Sequence, residues 1–300
     1  MEFFMKIYVI LFLIGLSVLY SACSQKPVTD TNWQLVASGF EFPEGPAWTQ
    51  NGNLYVSNCY GKWLAKINNG KVDTFLTASD STFQKTNGLL VNQDGSLLAC
   101  EYGNGAILKI SPDGIVQNLI PGFEGSPFNR PNDLTISTTG KLYFSDPKSY
   151  GIDNLDGRLF MYDFESKLVQ LVVDSLAFPN GMAISPMDNR LYLSESAKNR
   201  ILRFDISDTG ELSNKQVFIE LAGGDPDGLE FDVMGNLYVA HFGTGTVFVI
   251  LPNAEIVQKI QAPGKKPSNL EFGGDDLRTL FLTEDETNAV YKIRTSVRGN

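Results

Sequence analysis

Gly235-Asn236-Leu237-Tyr238-Val239-Ala240 reads as a turn residue leading into a strand with alternating faces, and the chain carries this pattern six times. The other copies are Gly52-Asn53-Leu54-Tyr55-Val56-Ser57, Gly95-Ser96-Leu97-Leu98-Ala99-Cys100, Gly140-Lys141-Leu142-Tyr143-Phe144-Ser145, Asn189-Arg190-Leu191-Tyr192-Leu193-Ser194 and Leu277-Arg278-Thr279-Leu280-Phe281-Leu282-Thr283. Their central leucines, 54, 97, 142, 191, 237 and 280, are spaced by 43, 45, 49, 46 and 43 residues. That is the period of a four-stranded propeller blade. A first strand precedes each leucine strand, as in Asn87-Gly88-Leu89-Leu90-Val91, and a third comes after it, as in Arg200-Ile201-Leu202-Arg203-Phe204. No segment sustains a helical period. The pattern predicts an all-β, six-bladed β-propeller over residues 33–296. The sixth period lacks a fourth strand after Tyr291-Lys292-Ile293. Trp33-Gln34-Leu35-Val36-Ala37 is free to supply it, which closes the ring and removes an exposed sheet edge.

Composition agrees. Of 300 residues, 43% are hydrophobic and only 19% charged, with 28 glycines, which suits short strands and tight turns. A formal net charge of −10 argues against a nucleic-acid partner, which needs a basic stripe. Residues 7–19 are an uncharged apolar run, short for a bilayer span and long enough for a signal-peptide core. The run ends in Leu19-Tyr20-Ser21-Ala22-Cys23, which looks like a bacterial lipobox with a tyrosine in the aliphatic place. The expected organisation is a lipoprotein signal peptide over 1–22, a tether over 23–32 and the propeller after it. The protein would then be exported and held at a membrane, facing periplasm or cell surface, through lipid on Cys23. Plain secretion is the alternative. No other membrane contact is expected, and the propeller should act as a monomer or weak dimer. Cys59 and Cys100 remain; an exporting compartment permits a disulfide, and packed thiols are equally consistent.

The repeat also carries polar residues in register. Ten residues before the key leucine stand Glu44, Asn87, Asn132 and Asp227; Asn180 stands eleven before and Ser268 twelve before. In a propeller the first strand of each blade lines the central channel, so these six form one ring at one mouth. Buried carboxylates and amides are costly without partners. A hard cation compensates them, and calcium accepts six to eight oxygens in irregular geometry. With no His or Cys in the ring, zinc is disfavoured. Asx-type caps at strand starts are the structural alternative. A second register, four residues after each key leucine, holds Asn58, Glu101, Asp146, Glu195, His241 and Glu284. It should stand behind the ring and orient it. His241, the only histidine, is either a hydrogen-bonded structural residue or a proton carrier near the mouth.

Several ordered motifs over residues 34–294 resemble the gluconolactonase and regucalcin-type family, related in fold to diisopropyl fluorophosphatase and paraoxonase. They are Phe42-Pro43-Glu44-Gly45-Pro46-Ala47-Trp48, Arg130-Pro131-Asn132-Asp133-Leu134, Ser145-Asp146-Pro147, Phe178-Pro179-Asn180-Gly181-Met182, Pro226-Asp227-Gly228-Leu229 and Gly235-Asn236-Leu237-Tyr238-Val239-Ala240-His241. The resemblance implies a divalent cation at the axis, calcium first, with magnesium, manganese or zinc as alternatives. It implies Glu44, Asn180 and Asp227 as ligands and Asn132 as ligand or substrate-facing amide. Arg130 holds the family's substrate-facing arginine position, and Asn87 and Asp133 stand beside it as substrate-side candidates.

The implied reaction is hydrolysis of a sugar lactone or similar cyclic ester, with the carbonyl polarised by the cation. Asp227, with His241 or Asp133 assisting, would accept the proton of the attacking water. A tightly held ligand is not at the same time a free base, so the two roles of Asp227 compete. Two rivals use the same ring: a phosphotriesterase acting on organophosphate-type esters, and a non-catalytic calcium-binding propeller.

Overall fold

The computed structural model describes residues 26–30, 32–80 and 82–300. It contains six four-stranded antiparallel sheets, arranged as the repeat predicts. The innermost strands are Pro43–Trp48, Thr86–Val91, Leu134–Ile136, Pro179–Ile184, Asp225–Phe231 and Pro267–Gly273. The second strands are Leu54–Asn58, Leu97–Glu101, Lys141–Asp146, Leu191–Glu195, Leu237–Phe242 and Thr279–Glu284, each carrying one key leucine. The closing strand is Gln34–Ser38, which pairs antiparallel with Ala289–Arg294 of the sixth blade. Closure by this early strand on a late one ties the first and last blades, as a ring without free edges requires.

The Leu-Tyr pattern has a packing cause. Both faces of every blade are covered by neighbouring blades, so the second strands are apolar on both faces. Leu237 and Val239 pack toward the fourth blade, while Tyr238 and Ala240 pack toward the sixth. Leu54 and Val56 likewise face the sixth blade and Tyr55 the second. Leu142 and Phe144 face the second blade and Tyr143 the fourth. Six cores, one between each pair of blades, result. Truncating a leucine such as Leu237, which is 1% exposed, would cost about 2–5 kcal/mol.

The ring end of five of the six inner strands is irregular. The pairing register slips between Glu44 and Ala47, Thr86 and Leu89, Pro179 and Met182, Pro226 and Leu229, and Pro267 and Asn269. Such bulges re-aim side chains. A proline stands directly before five of the six ring residues, where its fixed φ and missing N–H suit a strand that is leaving its ladder.

The propeller's ends extend further than residues 33–296. Val28, expected in a free tether, is buried; its N–H donates to Gln258 Oε1 at 3.0 Å and its carbonyl accepts from Gln258 Nε2 at 2.8 Å. At the other end the Gly299 N–H donates to the Leu277 carbonyl at 2.8 Å and the Asn300 N–H to that of Phe231 at 3.1 Å. The signal peptide and Cys23 lie outside the described residues. Among the described residues no helix is long and apolar enough to cross a membrane.

Candidate functional site

Five of the six ring positions meet as the sequence spacing requires. Glu44, Asn87, Asn132, Asn180 and Asp227 line one cavity of about 190 Å³ at one end of the axis. Ser268 does not reach it: its hydroxyl is directed at the Pro43 carbonyl (3.0 Å) and Thr283 Oγ1 (2.9 Å), tying the sixth blade to the first. Similar hydroxyl bonds close other junctions, from Ser57 to the Asn87 carbonyl (2.6 Å) and from Ser194 to the Asp227 carbonyl (2.7 Å).

Close approach of the ring residues depends on the residue immediately after each of them. That position holds Gly45, Gly88, Asp133, Gly181, Gly228 or Asn269. A Cβ at Gly45 would lie 2.4 Å from the Asn87 carbonyl oxygen, and one at Gly181 would lie 2.2 Å from that of Asp227. At these glycines only hydrogen fits where one blade's ring residue passes its neighbour.

The second register is a set of buried anchors. Asn58 Oδ1 accepts from the Glu41 N–H at 2.7 Å, Glu101 from the N–H groups of Gln84 (2.8 Å) and Lys85 (2.9 Å), and Asp146 from that of Arg130 (2.8 Å). Glu195 accepts from the Ala177 N–H at 2.9 Å and Glu284 from that of Lys266 at 2.7 Å. Each donor lies two or three residues before a ring residue. The anchors therefore orient the ring through its backbone, not by touching its side chains.

His241 belongs to this set, and of its two readings the geometry matches the hydrogen-bonded structural residue. Its Nε2 lies 3.0 Å from the Leu221 carbonyl, an acceptor only, so Nε2 carries the proton. Nδ1 then accepts from the Thr244 hydroxyl at 2.7 Å. The ring is fully buried, off the cavity wall, with both nitrogens engaged, and burial lowers its pKa. Asp133 also departs from expectation. It accepts from the Met182 N–H at 3.1 Å and lines a separate cavity of about 410 Å³ beyond the ring, with Glu230, Asn269 and Glu271. It is not on the wall of the ring cavity. Cys59 and Cys100 are free, buried thiols.

The electrostatics favour a cation. Burial first, and then repulsion from Asp133, pushes the Glu44 carboxyl well up. Burial first, and then Glu44 and Asp285, does the same for Asp227. Among the described residues no Lys or Arg lines this cavity. Asn87 Oδ1 is buried with no hydrogen-bond partner, as are both carboxylate oxygens of Asp285. Orphaned oxygens and mutually repelling carboxylates fit a hard cation. Glu44 and Asp227 would hold it with the amide oxygens of Asn132 and Asn180.

Two features escaped the sequence reading. One is Asp285, hidden in the position after the Glu284 anchor. The other is a collar of six aromatics, Phe42, Tyr60, Tyr102, Tyr150, Phe178 and Phe242, around the cavity. Tyr150 is fixed by donating to Asp225 at 2.9 Å. Arg130, exposed, stacks its guanidinium 5.8 Å from the Tyr102 ring centre and so sits at the rim. The aromatics stand at several different places of the repeat, Phe42 and Phe178 two residues before a ring residue and Tyr102 and Phe242 one after an anchor, so no single repeat position flags them.

Residues 42–285 match the sequence profile of the SMP-30/Gluconolactonase/LRE-like region. A gluconolactonase of Zymomonas mobilis is 30% identical, covering 89% of this chain and 82% of its own. The diisopropyl-fluorophosphatase of Loligo vulgaris is 24% identical, covering 91% and 95%. Among solved structures, the gluconolactonase XC5397 of Xanthomonas campestris superposes with a TM-score of 0.80 at 26% identity, over 91% of this chain and 92% of its own.

Proposed function

The chain belongs to the SMP-30/gluconolactonase/LRE-like family, and from that premise we propose that it hydrolyses a sugar-derived lactone at the cation site of the propeller axis. The observation that carries this is the ring itself. Five oxygen-bearing side chains from five blades line one cavity, two of them buried carboxylates with no basic side chain on the wall. A divalent cation bound there, calcium by the hardness of the donor set, would polarise the lactone carbonyl and stabilise the oxyanion of the addition step.

The chain's own groups do the rest. The aromatic collar keeps bulk water from the carbonyl and offers flat apolar faces to the C–H side of a sugar ring. Asn87 and Asn132 present amides to the substrate's hydroxyls, and Arg130 receives its polar substituents at the rim. Asp227 takes the proton from attacking water as the new C–O bond forms. The ring C–O bond then breaks, and the departing alkoxide takes a proton to give the open hydroxy acid. The competition between ligand and base roles falls on this one carboxylate.

Asp227→Asn tests it, with calcium affinity and lactone turnover measured on the same preparation. Turnover near wild type with calcium affinity intact would remove Asp227 as the base. The similarity to a fluorophosphatase supports a second reading, hydrolysis of phosphotriesters at the same ring. Initial rates on an aldonolactone and on a phosphotriester, with and without chelator, separate the two. For location we propose export and lipid attachment at Cys23. A fatty-acid label that persists in Cys23→Ser would refute it.

A further inference from the structure

Asp285 is the residue the ring does not explain. It is 8% exposed, and neither carboxylate oxygen has a hydrogen-bond partner. The nearby Ser268 hydroxyl has its proton committed to the Pro43 carbonyl or to Thr283. The Asp285 backbone is fixed, its N–H donating to the Lys266 carbonyl at 2.9 Å.

Register places the side chain. The residue after each anchor is Cys59, Tyr102, Pro147, Ser196, Phe242 or Asp285. Four of these, Cys59, Tyr102, Ser196 and Phe242, line the ring cavity, and Asp285 stands off that wall. Asp285 is the only carboxylate at this position, and it stands where the sixth blade meets the first. Its field reaches the ring: burial first, and then Glu44, drives its carboxyl up to about 10, while Asp285 in turn raises Asp227. Lys266 offsets this in part, but is exposed and stacks over Phe242 at 5.8 Å.

A buried carboxylate with no donor is costly, and the fold retains it where it and Glu44 raise one another's cost and where it raises that of Asp227. We infer that Asp285 is a further carboxylate of the cation site, set back from the wall that carries Glu44, Asp225 and Asp227, a charge that the bound cation compensates. Among the described residues no three carboxylate, thiol or imidazole groups converge on one point. Asp285 is therefore a positioning charge, not a direct ligand alongside Glu44 and Asp227. Cation affinity rises with the number of charges around a site, so Asp285 strengthens binding without occupying a coordination position. The inference rests on the cation site proposed above.

The test is calcium binding by titration calorimetry, with melting temperature in chelator and in calcium, for wild type, Asp285→Asn and Asp227→Asn. Asp285→Asn should weaken calcium binding by about 10- to 100-fold. In chelator it should melt no lower than wild type, because the cost of holding an unpartnered carboxyl in the interior has gone. That combination separates a cation-coupled charge from a packing role, which would lower both melting temperatures. Asp285→Glu, which keeps the charge, should bind calcium more tightly than Asp285→Asn. Unchanged calcium affinity in Asp285→Asn, with affinity lost in Asp227→Asn, overturns this inference and leaves the cation site standing. No calcium binding by wild type overturns both. Should Asp285→Asn fail to fold, Asp285→Ser answers the same question.

Discussion

Gly181→Ala should damage this protein far more than one methyl group suggests. The added Cβ would lie 2.2 Å from the Asp227 carbonyl oxygen, 2.6 Å from Gly228 Cα and 2.8 Å from the Asp227 carbonyl carbon. Ordinary contacts are about 3.5 Å or longer, so the fourth and fifth blades must part by roughly 1 Å. All three atoms are backbone and cannot rotate away. Overpacking costs about 1–3 kcal/mol in general, and the upper end, about 3 kcal/mol, applies where only backbone can yield. The displaced blades carry Asn180 and Asp227, and a misplacement of about 1 Å at a reacting site costs on the order of 10²-fold in turnover. Gly140→Ala is the control. Its Cβ would meet nothing within 4 Å, and its φ of +74° leaves only the left-handed penalty, about 1–2 kcal/mol. Urea unfolding in chelator and lactone turnover in calcium measure the two effects. Gly181→Ala as stable as Gly140→Ala, with wild-type turnover, would show that the junction at Gly181 is not tight.

Three further outcomes are expected. Burial, and then Asp133, pushes Glu230 up to about 7, and burial with Glu230 raises its neighbour Glu271. A carboxyl whose folded pKa is raised contributes stability that is full below its unfolded pKa and lost as pH rises through about 7. Glu230→Gln should therefore melt above wild type at pH 8 in chelator, with the gap closing toward pH 5; a gap independent of pH would refute this. His241→Gln should keep turnover while losing about 1–3 kcal/mol of stability, because the Thr244 hydroxyl and Leu221 carbonyl lose matched partners. Turnover lost at unchanged melting temperature would return His241 to the chemistry. The free thiols should resist alkylation in the native protein, since burial pushes Cys59 up to about 12 and raises Cys100 as well. Rapid labelling of either thiol, or a melting temperature lowered by reductant, would contradict that.

Six blades, their order and the strand that closes them were legible in the chain, because each blade must cover both faces of its leucine strand. That requirement writes an apolar alternation at a fixed period, and a period survives without any knowledge of contacts. The ring was legible for the same reason: Glu44, Asn87, Asn132, Asn180 and Asp227 occupy one position of a repeat, and the repeat brings that position to the axis five times over. The second register was legible as a set, but not its action, since whether Glu101 or Asp146 touches a side chain or a backbone N–H depends on where the preceding loop runs.

Tertiary structure alone decided the rest. The same register that supplies carboxylates in four blades holds His241, and only the positions of Leu221 and Thr244 show both its nitrogens engaged. Asp133 stands next to a ring residue, yet a bulged or broken strand end turns consecutive residues toward opposite cavities, which no alternation rule anticipates. The pinned Val28, the aromatic collar and the orphaned Asp285 are meetings of segments far apart in sequence. Periodicity reports what each blade shares with the others. The site's particular chemistry lies where one blade differs, and that difference has meaning only once the neighbouring blade is in place.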